Sequence, residues 1–261
     1  MERLIFVTND DGYDAPGLAA LIEVASKFGR VVAVAPKEPQ SGKSQSITTY
    51  SPLYLDTIYK RDGVELYALN GTPVDCTKYA LDYLLLGQRI DLVVSGINHG
   101  SNAGVNILYS GTMGAAIEGG MYAAPAIGFS HINHSLEIDL EGAKFYASHI
   151  IESVLAREDK ELTILNVNVP DLPMDEIKGM RVVRQNRGYW LEEFFARKDP
   201  RGKDYYWLTG GFVNLEPDAT DTDIAAIESG YVAVVPVQVD MTDYAKMEST
   251  SNMMAKIPTN E

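Results

Sequence analysis

Cysteine is nearly absent from this chain: Cys76 is the sole thiol in 261 residues. A single thiol excludes an intrachain disulfide and any cysteine-rich zinc centre. Its setting, Val74-Asp75-Cys76-Thr77, reads as the first turn of a helix, where the thiol is expected to be a small half-buried filler. Long apolar runs are missing too. No stretch reaches the ~18 to 20 apolar residues needed to cross a bilayer. The run at residues 4–7, after Glu2 and Arg3, is too short for the core of a signal peptide. The expectation is a soluble, cytoplasmic chain without a membrane partner. Positive charge is scarce, with 22 Lys and Arg against 36 Asp and Glu, a net charge of −14. No Lys/Arg-rich run overrides that balance locally, so nucleic acid is not an expected partner. A small anionic substrate needs a cation or oriented backbone dipoles to offset the repulsion.

Several catalytic signatures are also missing. There is no GxxxxGK[ST] and no GxGxxG after the first strand, which removes the main motif of nucleoside-triphosphatase and dinucleotide readings. No GxSxG elbow supports a serine hydrolase. No HExxH-type carboxylate motif accompanies His131 and His134, which read as loop or surface histidines. His149 is isolated. His99 lies in a candidate site loop, and general acid or base duty is open there.

What is present reads as one large α/β domain, since 46% hydrophobic residues over this length suffice for a sizeable core. Residues 3–7 form an apolar run of buried parallel-strand type. Pro16 opens a helix whose apolar positions run from Leu18 to Phe28 and which Gly29 ends. Residues 30–35 are the next strand, giving a right-handed strand–helix–strand unit. Residues 54–59 and 64–69, joined around Asp62-Gly63, read as a hairpin. Thr72 caps a helix with Pro73 at its first position. Residues 91–95, 124–129 and 162–167 read as parallel strands, with a loop at 96–104, a helix from near Thr112 and another over 140–155. After Arg181 aromatics cluster among charged and glycine turns, suggesting hairpins that leave the sheet. An apolar strand over 231–237 and a Met-rich tail follow. There is no internal repeat and no low-complexity segment. Alternating strands and helices predict a doubly wound sheet. Exposed apolar hairpins need a partner, so residues 181–215 and 240–261 read as oligomerisation elements.

In such a sheet ligands sit beyond the carboxyl ends of the strands. Thr8-Asn9-Asp10-Asp11-Gly12 follows the first strand, and Ser41 lies in the loop after the second. Gly96-Ile97-Asn98-His99-Gly100-Ser101-Asn102 follows the strand at 91–95. Adjacent carboxylates at a buried strand end repel each other, and a hard divalent cation relieves that cost through oxygen ligands. Asp10 and Asp11 are therefore metal candidates, although Asp-Asp-Gly also suits a simple turn. Tyr109-Ser110-Gly111-Thr112, just before an Ala/Gly-rich helix, offers free N–H groups and hydroxyls to a phosphate. The same residues also suit a plain N-cap.

Three ordered motifs make the chain resemble the SurE family of 5′/3′-nucleotidases. They are Val7-Thr8-Asn9-Asp10-Asp11-Gly12 with Ala15-Pro16-Gly17; Ala35-Pro36 through Gln40-Ser41-Gly42; and Val94-Ser95-Gly96-Ile97-Asn98 through Tyr109-Ser110-Gly111-Thr112. The late run Gly230-Tyr231-Val232-Ala233-Val234 with Thr242 also fits, so the resemblance covers essentially the whole chain. It implies one divalent cation per subunit, Mg²⁺ or Mn²⁺, held by Asp10, Asp11, Ser41 and Asn98. Asn9, Asn98, Ser110, Gly111 and Thr112 would bind phosphate, with Asp10 and Asp11 in the catalytic roles. The implied reaction is hydrolysis of nucleoside 5′-monophosphates, with 3′-monophosphates as a further substrate class. The implied fold is an α/β, Rossmann-like three-layer sandwich with a mostly parallel sheet, and the implied assembly is a homodimer or homotetramer built by a projecting hairpin and a C-terminal arm. His99 stands at a position that varies in the family. Two alternatives are a phosphatase of polyphosphate or sugar phosphates, with Lys43 and Arg187 either favouring polyanions or serving as solvated surface charges, and a non-catalytic phosphate-binding module.

Overall fold

A computed structural model describes residues 2–122, 124–135, 137–157 and 163–255. In chain order the elements begin with β1 (Leu4–Thr8), α1 (Pro16–Ala25), β2 (Arg30–Pro36), β3 (Leu55–Arg61), β4 (Val64–Leu69) and α2 (Pro73–Tyr79). Next come β5 (Leu92–His99), α3 (Gly111–Met121), β6 (Ala126–His131), α4 (Glu141–Leu155), β7 (Ile164–Val169) and β8 (Met180–Val182). The chain closes with β9 (Gly188–Lys198), β10 (Asp204–Asn214), α5 (Asp223–Glu228), β11 (Val232–Val237) and α6 (Met247–Met254).

Nine strands form one sheet in the order β3-β4-β2-β1-β5-β6-β7-β11-β8. Its centre is parallel from β4 to β7, while β3 and β11 pair antiparallel with β4 and β7. Successive side chains of a strand point to opposite faces, and β1 divides accordingly. Ile5 and Val7 pack with α1 and α4 in one apolar cluster, whereas Leu4 and Phe6 pack with Cys76, Met113 and Ala116 in the other. A helix layer on each face makes the expected three-layer sandwich.

Local chemistry explains most boundaries. Thr72 caps α2 in a full capping box with Asp75, and Ser110 caps α3 by accepting the Met113 N–H at 3.0 Å. α1 stops at Ala25, one turn before Gly29. Gly29 serves instead where β2 passes β1, since a Cβ there would lie 2.4 Å from the Arg3 carbonyl oxygen. Cys76 is fully buried and not half-buried; desolvation, helped by Asp75, pushes its thiol pKa up and leaves it inert. The expected strand at 162–167 is β7, displaced by two residues; Leu162 lies outside the described residues. β8 belongs to the main sheet, and only β9 and β10 leave it, as a separate two-stranded ribbon.

Candidate active site

Two strand ends and one helix start converge where the strand order reverses. β1 and β5 are paired from Ile5 with Leu92 to Thr8 with Ser95, so the chain leaves both at one carboxyl edge. Just beyond β1, Asn9 is buried and its side-chain N–H donates to the Gly12 carbonyl at 2.8 Å. Gly12 has φ +112°, a left-handed conformation that favours glycine. The Asp-Asp-Gly segment is therefore a turn, and one that sets two carboxylates side by side at the sheet edge.

Asp10 is only 3% exposed. Its carboxylate accepts hydrogen bonds from the hydroxyl and the backbone N–H of Thr112. α3 thus directs its N-terminus, the positive end of the helix dipole, at Asp10. Gly111 makes that approach possible, because a Cβ there would lie 2.8 Å from Asp10 Cβ. Burial, reinforced by the charge of Asp11, nevertheless pushes the Asp10 pKa up to about 6. Burial also raises Asp11, opposed by the His99 backbone N–H at 3.1 Å and by the imidazoles of His99 and His134. Among the described residues no lysine or arginine offsets either carboxylate.

β5 runs four residues further than the expected strand at 91–95, to His99. Its register with β6 slips between Ser95 and Asn98. At the slip Gly96 has φ +126°, and a Cβ there would meet the Phe129 carbonyl oxygen at 2.2 Å. Such an irregularity re-aims the side chains after it, and Asn98 turns into a cavity of about 480 Å³. The Asn98 side-chain N–H donates to the Gly100 carbonyl at 2.8 Å, which leaves its amide oxygen as the acceptor.

Asp10, Ser41, Asn98 and Ser110 line this cavity; Asn9, Asp11, Gly111 and Thr112 stand outside that lining. Asn9 braces the turn that carries Asp10, and Thr112 holds the Asp10 carboxylate. The other wall comes from residues that the sequence reading did not assign to the site, among them Asn106, His134, Trp190, Leu208 and Gly210. His134 is exposed as expected, but its ring packs where a Cβ on Gly100 would lie, 2.5 Å from Cε1. His131 is not a surface histidine: it ends β6 at 3% exposure, with Nε2 3.8 Å from Asp171.

Beneath the loop at 100–102 runs a buried amide network. Asn168 Oδ1 accepts the Asn102 N–H at 2.8 Å, the Asn102 side chain donates to the Ser130 hydroxyl at 2.7 Å, and the Asn166 side chain donates to the Asn102 carbonyl at 2.8 Å. Asn166-x-Asn168 inside an apolar strand was the available signal, since buried amides require partners.

The donors present fit a hard cation. Two carboxylates without a lysine or arginine partner, the Ser41 hydroxyl and the Asn98 amide oxygen are all oxygen ligands of the kind Mg²⁺ or Mn²⁺ prefers. Among the described residues no group of three or more His, Cys, Asp or Glu could hold a metal. A cation at this edge therefore depends on the hydroxyl and the amide as well.

The family model described as survival protein SurE matches residues 5–192. The chain belongs to the SurE family. That SurE match includes every site residue from Asn9 to Thr112 and reaches Trp190, but ends before Leu208 and Gly210. The chain is 48% identical to the 5′-nucleotidase SurE of Flavobacterium johnsoniae, covering 94% of each protein. It is 46% identical to that of Flavobacterium psychrophilum, covering 95% of this chain and 96% of the relative. Among solved structures, the crystal structure of the SurE protein from Aquifex aeolicus superposes with a TM-score of 0.82 at 37% identity. The superposition covers 96% of this chain and 99% of that one.

Proposed function

We propose that this SurE-family chain is a divalent-metal-dependent phosphomonoesterase that hydrolyses nucleoside 5′-monophosphates, and 3′-monophosphates as a second class, to nucleoside and phosphate. The observation that carries the reading is the Asp10-Asp11 pair, Asp10 buried and Asp11 half-buried with no lysine or arginine to offset either, beside a nucleotide-sized cavity at the switch point of the sheet. Relatives named 5′-nucleotidase over nearly their whole length support the substrate class.

A bound Mg²⁺ or Mn²⁺, one per subunit on Asp10, Asp11, Ser41 and Asn98, would neutralise charge developing on the phosphoryl oxygens and acidify a water. The chain's own residues do the rest. Thr112 fixes the Asp10 carboxylate through its hydroxyl and N–H, and the His99 N–H orients Asp11. Ser110 and the N–H of Gly111 face the phosphate from the start of α3 beside Asn98, while Asn9, committed to the Gly12 carbonyl, acts on the phosphate only by bracing the turn that carries Asp10. Asp10 and Asp11 are the groups placed to orient the attacking water and accept its proton. The cavity lining contains no lysine or arginine. Lys43 and Arg187 both lie outside it, which disfavours polyphosphate as the main substrate. No helix is long and apolar enough to cross a membrane among the described residues, and we place the enzyme in the cytoplasm as a homodimer or homotetramer.

The test is phosphate release from nucleoside monophosphates in chelator and with Mg²⁺ or Mn²⁺ restored. Release is expected only with metal, and Asp11→Asn is expected to lower kcat by at least about 100-fold, the scale of a lost transition-state contact. Full activity in chelator sinks the metal assignment. Nucleotide binding without release under any metal moves the chain to a binding module.

A further inference from the structure

The cavity has two chemically different halves. Asp10, Ser41, Asn98 and Ser110 form a polar end, while Trp190 and Leu208 form an apolar wall more suited to a planar ring than to a phosphate. We propose that the face of the Trp190 indole, backed by Leu208, is the platform on which the nucleobase of the substrate stacks, making the β9–β10 ribbon the specificity element of the enzyme. The proposal rests on the nucleotidase reading above and adds what that reading leaves open, namely how the base is recognised.

Three observations carry it. First, the indole lines the cavity with its edge fixed: Nε1–H donates to Asn106 Oδ1 at 2.7 Å, and the Asn106 side chain donates in turn to the Ser101 carbonyl at 3.1 Å. Second, the ring is held in place. Trp190 pairs across the ribbon with Phe212, edge to face at 6.0 Å and 71°. Gly210 gives it room, since a Cβ there would lie 3.0 Å from its Cε3. Third, the ribbon's root is anchored to the site floor. The Asp223 carboxylate, fully buried, accepts the N–H of Gly104 at 2.8 Å and of Asn186 at 2.9 Å.

This wall also predicts how selective the enzyme is. The side-chain amides on this half, Asn102 and Asn106, are committed to protein partners. Stacking without an edge-reading amide accepts every base, because each has a π-face. Purine monophosphates are expected to be preferred over pyrimidine ones through larger stacked area, with little discrimination between adenine and guanine.

The experiment compares the full-length wild type with Trp190→Ala and Trp190→Phe, using adenosine 5′-monophosphate and the baseless ribose 5-phosphate with Mn²⁺ present. The kcat/KM ratio of the nucleotide over ribose 5-phosphate is expected to fall about tenfold in Trp190→Ala, the size of one base–aromatic stack. The loss should appear mainly in KM. Trp190→Phe should recover most of it, since phenylalanine keeps a face and lacks the N–H. Equal losses on both substrates, or no rescue by phenylalanine, would show that Trp190 merely props the ribbon and would overturn the proposal. A second readout does not need turnover. The chain has two tryptophans, so Trp207→Phe leaves Trp190 as the sole indole, and its fluorescence should be quenched by adenosine monophosphate but not by ribose 5-phosphate. If the wild type releases no phosphate from any substrate, the nucleotidase reading fails, and base-dependent quenching alone then upholds or overturns the platform.

Discussion

At Asp10 a single carboxylate carries opposing demands. Thr112 donates two hydrogen bonds to its charged form, yet burial and Asp11 push its pKa up to about 6, so in the absence of metal the folded chain binds its proton more tightly than the unfolded chain does. Between pH ~4 and ~6 the folded state therefore holds more protons, and metal-free stability falls as pH rises through that window. The fall for this one group is roughly 3 kcal/mol when complete. Thermal melts in chelator should show this decline, and Asp10→Asn should flatten it; parallel profiles for the two proteins would count against the uncompensated carboxylate. Gly111 offers a second residue-scale prediction. Helix propensity alone makes Gly111→Ala stabilising by up to about 1 kcal/mol. Contact with Asp10 instead leads us to expect a displaced carboxylate and about a 100-fold loss in kcat/KM. Kinetics alongside a melt separates the two, since unchanged activity with a higher Tm would favour propensity.

Among the elements, β7 shows how a core strand can serve a site it does not touch. Its buried Asn166 and Asn168 interrupt an otherwise apolar pattern in order to hold the loop at 100–102. Asn168→Ala strips the Asn102 N–H of its acceptor and Asn166 Oδ1 of its donor at 3.0 Å. The expected cost is about 2–3 kcal/mol, seen as a lower urea midpoint with an unchanged m-value, together with weaker substrate binding. A midpoint equal to the wild type would mean that the network is replaced by water. β5 is the complementary case: its apolar run announced the strand, while the register slip that aims Asn98 arises from pairing with β6 and has no local signature beyond Gly96.

On the scale of the whole molecule, the β9–β10 ribbon presents two faces. Register puts Trp190, Phe194, Leu208, Gly210 and Phe212 on one side, and Leu191, Phe195, Tyr205 and Trp207 on the other. The first side includes the cavity wall. On the second, Phe195 and Trp207 are 49% and 63% exposed, a patch of the kind that marks a protein contact. We propose it as the main oligomer interface, with α6 as a second element; residues 256–261 of the expected C-terminal arm lie outside the described residues. Light scattering should report a dimer or tetramer, and Phe195→Asp should shift it to monomer while the fold persists by circular dichroism. A wild-type monomer at all concentrations would refute this assignment.

Periodicity, turn chemistry and ordered motifs were enough to define the layers and the strand edge at which Asp10 and Asp11 sit, because each depends on residues close in sequence. Tertiary structure alone brought Thr112 to Asp10 across 102 positions, Asn168 to Asn102 across 66 and Trp190 to Asn106 across 84. These contacts are set by the order in which strands pair and by where the departing ribbon is anchored. A local pattern records which face a residue takes, but not which distant segment will meet it there.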